Sequence, residues 1–230
     1  MSVFALVHGA AHGGWCWERL APLLVAAGHR MVAPDLPARD PGAGAVRYAE
    51  VVTTALEGAG ADVVVVGHSL GGLTIPLVAA RRPVRHLVYL SALVPRPGQV
   101  PFGPDPHAPP ESAPGLRVDN ADDGAFTFPP EVARSHLYNR CPPAEAEWAI
   151  ARLGWQSTAP HREVCPLAAL PRAPSTYIAG RDDRAVLLPY ATYLARTRLG
   201  VEPVILDADH SAFLSAPKVL ADLLLGLTPH

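Results

Sequence analysis

The chain has little charge. Only 17% of its residues are Asp, Glu, Lys or Arg, and 19 basic against 21 acidic residues leave a formal charge of -2. No basic cluster occurs, which excludes a phosphate-tracking nucleic-acid surface and a polybasic membrane patch. Long hydrophobic runs are also missing, so no segment reads as a membrane span. The opening stretch MSVFALVHGAAHGG has no basic start, and His8 ends its apolar run early, so it does not read as a secretory leader. Cysteine is scarce. Cys16, Cys141 and Cys165 are odd in number, far apart and without a CxxC pair, which suits reduced packing thiols in a cytoplasmic protein. What remains is 230 residues that are 49% hydrophobic, enough for one domain with a full core.

Short apolar runs alternate with longer helical patterns. Strands are expected at 3–8, 30–36, 62–67, 85–93, 175–180 and 202–207. They lack strict alternation, as strands covered on both faces do. Helices are expected at 17–28, 46–60, 73–82, 187–200 and 216–227. This rhythm predicts an α/β fold with a mostly parallel six-stranded sheet and helices on both faces. One segment breaks it. Residues 95–114, PRPGQVPFGPDPHAPPESAP, are too rich in proline for a central strand or a regular helix. Two short amphipathic helices follow, near 130–138 and 143–153. The excursion reads as a small, mainly helical cap inserted at about 96–170 in a single domain spanning 1–230.

The run VVVVGHSLGG, residues 63–72, carries the chemistry. It fits G-x-S-x-G, in which a serine sits on a sharp strand-to-helix turn. Neighbours two positions away must lack a clashing Cβ, and Gly67 and Gly71 meet that demand. The turn lifts the Ser69 hydroxyl above the sheet and aims the Leu70 amide at a developing oxyanion. The strand before it and the helix after it separate this motif from a chance glycine-rich turn.

Serine needs a base, and the base needs an orienting acid. Downstream, GRDDRAV and DADHSAFL each follow a predicted strand, at the rim where open α/β sheets gather ligands. His210 is the expected base. Asp183 is the expected acid, because it keeps a D-x-x-hydrophobic spacing to Val186, with Asp182 the rival. Asp207 and Asp209 shape the His210 loop, and Asp35 reads as a turn former. The second oxyanion amide falls to Ala10 in the glycine-rich loop HGAAHGGW. His8 and His12 are four apart but on a loop, with no carboxylate at ligand spacing, so no metal is expected. No cofactor is expected either. The candidate pocket residues are Gly9, Trp15, His68, Phe126, Phe128, Trp148 and Trp155, with Tyr138 and Leu153 also in the cap. For the cap residues, helix packing competes with substrate contact.

The stretches LVHGAAHGGWCWERLAPLLVAAGHRMVAPDLP, VVVVGHSLGG, YIAGRDDRAV and DADHSAFL together resemble the α/β-hydrolase branch that holds plant methylesterases, hydroxynitrile lyases and bacterial esterases. The resemblance implies an α/β-hydrolase fold that starts directly at a central strand. It implies a triad of Ser69, Asp183 and His210, with the Ala10 and Leu70 amides as oxyanion donors. In the lyases of that branch a threonine stands at the position of Gly9 and a lysine at that of Ser211, so the resemblance favours ester hydrolysis here. Two other classes compete. A dinucleotide-dependent oxidoreductase would share the strand–helix rhythm, but neither GAAHGG nor GHSLGG gives G-x-G-x-x-G. A non-catalytic receptor on the same fold would not need the triad. The expected partner is a small-molecule ester, without nucleic acid or membrane, and a homodimer is left open.

Overall fold

Six apolar runs form one sheet in the computed structural model, which describes residues 1–109 and 116–228. The strands are β1 (Val3–Val7), β2 (Arg30–Val32), β3 (Val63–His68), β4 (His86–Leu90), β7 (Ser175–Gly180) and β8 (Val204–Leu206). Their order is β2-β1-β3-β4-β7-β8, and every neighbouring pair is parallel. The valine run of β3 shows why alternation is missing. Val63 and Val65 pack with Tyr48, Val52 and Leu77 on one face, and Val64 and Val66 pack with Trp17, Leu24 and Leu220 on the other. All four valines are fully buried. Each contributes about 1.5–3 kcal/mol of apolar burial.

Proline decides where the helices start. The helices are α1 (Ala21–Ala26), α2 (Ala45–Ala55), α3 (Ile75–Arg81), α4 (Pro130–Val132), α5 (Pro143–Ile150), α6 (Ala159–Arg162), α7 (Leu188–Leu194), α8 (Ala212–Ser215) and α9 (Pro217–Leu225). Among the described residues, all except α2 and α8 carry proline in the first turn. Only there does the missing N–H cost nothing. The pattern at 17–28 therefore splits into a 3₁₀ turn, Gly14–Trp17, and α1, which starts one residue before Pro22. The pattern at 187–200 is α7 continued by a wider π turn, Ala195–Leu199, that stops at Gly200 with φ +68°.

The excursion between β4 and β7 holds more than two helices. A two-stranded antiparallel ladder, β5 (Asp119–Asn120) with β6 (Phe126–Thr127), precedes α4, which widens into a π turn at Ala133–Leu137. Phe126 exchanges backbone hydrogen bonds with Gln156, tying the ladder to the segment after α5. Two-residue strands show no periodicity, so neither the ladder nor α6 was legible in the sequence. Residues 110–114 of the proline-dense stretch lie outside the described residues. Among the described residues no helix is long and apolar enough to cross a membrane.

Candidate active site

The carboxyl ends of β1, β3, β7 and β8 bring distant sequence segments to one edge of the sheet. Ser69 follows β3 directly and has φ +51°, a left-handed conformation that costs a non-glycine residue about 1–3 kcal/mol. The turn is held by close packing. A Cβ on Gly67 would meet Ile75 Cγ2 at 2.7 Å and the Gly71 carbonyl oxygen at 2.9 Å. A Cβ on Gly71 would meet the Val7 and His8 carbonyl oxygens at 2.7 and 2.8 Å. Gly72 is tighter still, since a Cβ there would collide with the Leu93 carbonyl oxygen. Leu70 is the second residue of the 3₁₀ turn Ser69–Leu73, where first-turn amides have no intrahelical partner.

Asp183 and His210 meet in the interior. His210 Nδ1 lies 2.9 and 3.0 Å from the two Asp183 carboxylate oxygens, and the two side chains are 3% and 1% exposed. The Ala185 and Val186 amides each donate to Asp183 Oδ1 at 2.8 Å, which gives the spacing to Val186 its geometric meaning. Asp182 turns outward and pairs with Arg140, which also bonds Asp207 at 2.7 Å. Asp209 is fully buried and accepts from Arg140 N at 2.8 Å, Ser211 N at 3.0 Å and the Ser215 hydroxyl at 2.8 Å. It ties the excursion to the His210 loop. Asp35 does more than form a turn, since its carboxylate accepts the Gly14 amide at 2.7 Å.

The histidines are hydrogen-bonded into the scaffold. His8 receives the Leu36 amide on Nε2 at 3.1 Å, so its Nδ1–H donates to the Gly9 carbonyl at 2.9 Å. That carbonyl shares a trans peptide with the Ala10 N–H, so His8 sets the plane from which the amide projects. The Ala10 N–H donates to no group among the described residues. His68 donates from Nε2 to the His210 carbonyl at 3.0 Å, and its ring lies 4.6 Å from the His210 ring. Burial holds His8 and His68 below the usual histidine range, His68 far below, and lowers His12 to about 3. Among the described residues no group of three metal-ligating side chains converges.

Ser69, His210, Ala10 and Leu70 line one cavity of about 430 Å³, within the range of small-molecule sites. Phe126 and Phe128 lie on its lining, with Phe102, Leu116, Leu137 and His161. The other pocket candidates lie elsewhere. Gly9 packs beneath Ser69, where a Cβ would sit 2.8 Å from Ser69 Cβ. His68 is fully buried. Trp15 stands edge-on to Trp148 at 5.4 Å, and Trp148 carries Arg19 and Arg152 over its ring at 4.6 and 4.5 Å. Trp155 lies under Arg39 at 5.9 Å. The indoles offer apolar area to arginine stems and to each other, away from the cavity. Phe102 and His161 were missed because a proline-rich loop and a four-residue helix carry no pattern.

This geometry agrees with what the chain is similar to. The model of the alpha/beta hydrolase family matches residues 4–223. The chain belongs to the alpha/beta hydrolase family. A pyrethroid hydrolase from Sphingobium wenxiniae is 31% identical over 94% of this chain and 84% of that protein. An alpha-hydroxynitrile lyase from Arabidopsis thaliana is 28% identical over 97% of this chain and 96% of its own length. The solved structure of an Arabidopsis methylesterase superposes with a TM-score of 0.79 at 25% identity, covering 98% of both chains. This alpha/beta hydrolase thus falls in the branch of methylesterases and hydroxynitrile lyases, and its esterase relatives support carboxylic ester hydrolysis as its reaction class.

Proposed function

We propose that this alpha/beta hydrolase cleaves an uncharged carboxylic ester through an acyl-enzyme on Ser69. One observation carries the reading: a strained serine and a histidine held by a buried carboxylate line the same cavity. Asp183 accepts the His210 Nδ1–H, which leaves Nε2 as the lone pair that takes the serine proton. Ser69 Oγ attacks the ester carbonyl, and the Ala10 and Leu70 amides stabilise the oxyanion. His210 returns the proton to the leaving alcohol and then activates water to release the acid.

The substrate class follows from the lining. Among the described residues no Lys, Arg, Asp or Glu lines the cavity, and burial lowers His161 to about 4, so it is neutral at pH 7. An ionised substrate would lose its hydration there without a counter-charge. A small or medium ester with an aromatic or acyl group fits the aromatic wall of Phe102, Phe126 and Phe128. We read residues 96–170 as the cap that supplies this wall. The free thiols of Cys16, Cys141 and Cys165 suit a cytoplasmic setting.

A fluorophosphonate reagent and a panel of neutral and charged esters test the proposal. Covalent labelling is expected at Ser69, with turnover of neutral esters well above that of anionic ones. Labelling at another residue, or turnover retained by Ser69→Ala, would refute it.

A further inference from the structure

Two contacts from the excursion reach the loop that carries Ala10. The Tyr138 hydroxyl lies 2.8 Å from His12 Nε2, and His12 Nδ1 lies 2.8 Å from the Ala10 carbonyl oxygen. A carbonyl only accepts, so the His12 proton sits on Nδ1 and Nε2 receives the Tyr138 O–H. The Gly154 amide donates at 2.8 Å to the carbonyl of Ala11, a residue held at φ +59°. The His12 ring has little freedom to turn. It stacks on Trp15 at 5.4 Å and stands edge-on to His68 and Phe213 at 5.6 and 6.0 Å. Tyr138 itself is 1% exposed and is not on the cavity lining.

We propose that Tyr138 is a positioning residue, acting through His12 to hold the Ala10 peptide in register for the oxyanion. The inference rests on reading the Ala10 N–H as an oxyanion donor. His8 fixes the carbonyl before Ala10 and His12 fixes the carbonyl of Ala10, so both flanking peptides are pinned. Burial keeps His12 neutral, and a neutral imidazole has two tautomers. Tyr138 selects the one that can donate to Ala10. Without its hydroxyl the Nε2–H form becomes accessible, and that form turns a lone pair toward the Ala10 carbonyl. The excursion therefore bears on catalysis from behind the loop as well as through the pocket wall.

Tyr138→Phe removes one oxygen and keeps the buried ring. Its kcat on a p-nitrophenyl ester should fall about tenfold, less than the hundredfold or more lost when an oxyanion donor is itself deleted. KM should hold. Affinity for an aryl trifluoromethyl ketone, which forms a tetrahedral adduct on Ser69, should fall by the same factor as kcat/KM. Affinity for the matching methyl ketone, bound without an adduct, should not change. The acid limb of the pH profile should stay in place. His12 lines the cavity, so His12→Gln should lower kcat and can also shift KM, and adding Tyr138→Phe to it should cost no further kcat. Wild-type kcat in Tyr138→Phe, or equal losses for the two ketones, would overturn the proposal. If wild-type enzyme formed no adduct with the fluorinated ketone while Ser69→Ala kept its turnover, the reading of an acyl-enzyme on Ser69 would fall, and this inference with it.

Discussion

Asp182 and Asp183 are adjacent in the chain and opposite in surroundings. The Asp183 side chain is 1% exposed and holds His210 Nδ1, whereas the Asp182 side chain is 46% exposed and pairs with Arg140. Asp183→Asn should lower kcat by roughly 10⁴, because asparagine neither stabilises the imidazolium nor enforces its tautomer. Asp182→Asn loses an ion pair exposed to water, which contributes little, and should keep most of its activity. Steady-state kinetics on both variants check this ranking, and its reversal would move the acid to Asp182. The activity of the wild-type enzyme should also fall in acid, since a protonated base cannot accept the serine proton. Activity undiminished in acid while the fold persists would exclude a histidine base.

The strand–turn–helix element of β3 and α3 works because three glycines admit backbone where a Cβ would not fit. Gly72→Ala would drive a methyl to 2.1 Å from the Leu93 carbonyl oxygen, and Gly71→Ala would crowd the Val7 and His8 carbonyls. Overpacking of this kind costs about 1–3 kcal/mol. Both substitutions should lower the thermal midpoint and depress kcat, because the displaced backbone carries Ser69 and the Leu70 amide. Wild-type activity in a destabilised Gly71→Ala protein, measured by calorimetry beside kinetics, would show that the turn tolerates movement. Gly9 belongs to the same packing, 2.8 Å from Ser69 Cβ at its missing Cβ. A side chain there would press on the serine itself.

Two expectations belong to the molecule as a whole. The first is acid sensitivity. His8, His12 and His68 are buried and neutral, with folded pKa values depressed from 6.5. Between 6.5 and the folded value, about 3 for His12, the unfolded chain binds protons that the native state refuses. Stability is therefore complete above about pH 6.5 and is lost as pH falls. Thermal midpoints should decline from pH 6.5 to 5, before most carboxylates titrate, and His12→Gln should flatten that decline. A midpoint constant over this range would contradict it. The second is the choice between hydrolysis and cyanide release. Ser211 is fully buried and, among the described residues, no lysine lines the cavity, so no ammonium there is available for a departing cyanide. Hydrolysis of p-nitrophenyl acetate is expected, with no cleavage of mandelonitrile above background. Cyanide release at a rate comparable to ester hydrolysis would refute the esterase assignment.

The sequence by itself determined the sheet and the turn. Four valines buried on both faces, GHSLGG behind them and prolines at the helix starts are local signals, written in neighbouring residues. The positions of Asp183 and His210 were legible for the same reason, since each follows a strand whose end lies at the sheet edge. Only the tertiary structure decided which aromatic residues face the cavity. Composition gave Trp15, Trp148 and Trp155 the same claim as Phe126 and Phe128, but cation–π packing holds Trp148 and Trp155 outside, with Trp15 edge-on to Trp148. It also decided what His8 and His12 do. Their partners, Leu36 and Tyr138, lie 28 and 126 residues away, and a hydrogen bond across such a separation leaves no periodicity for the sequence to show.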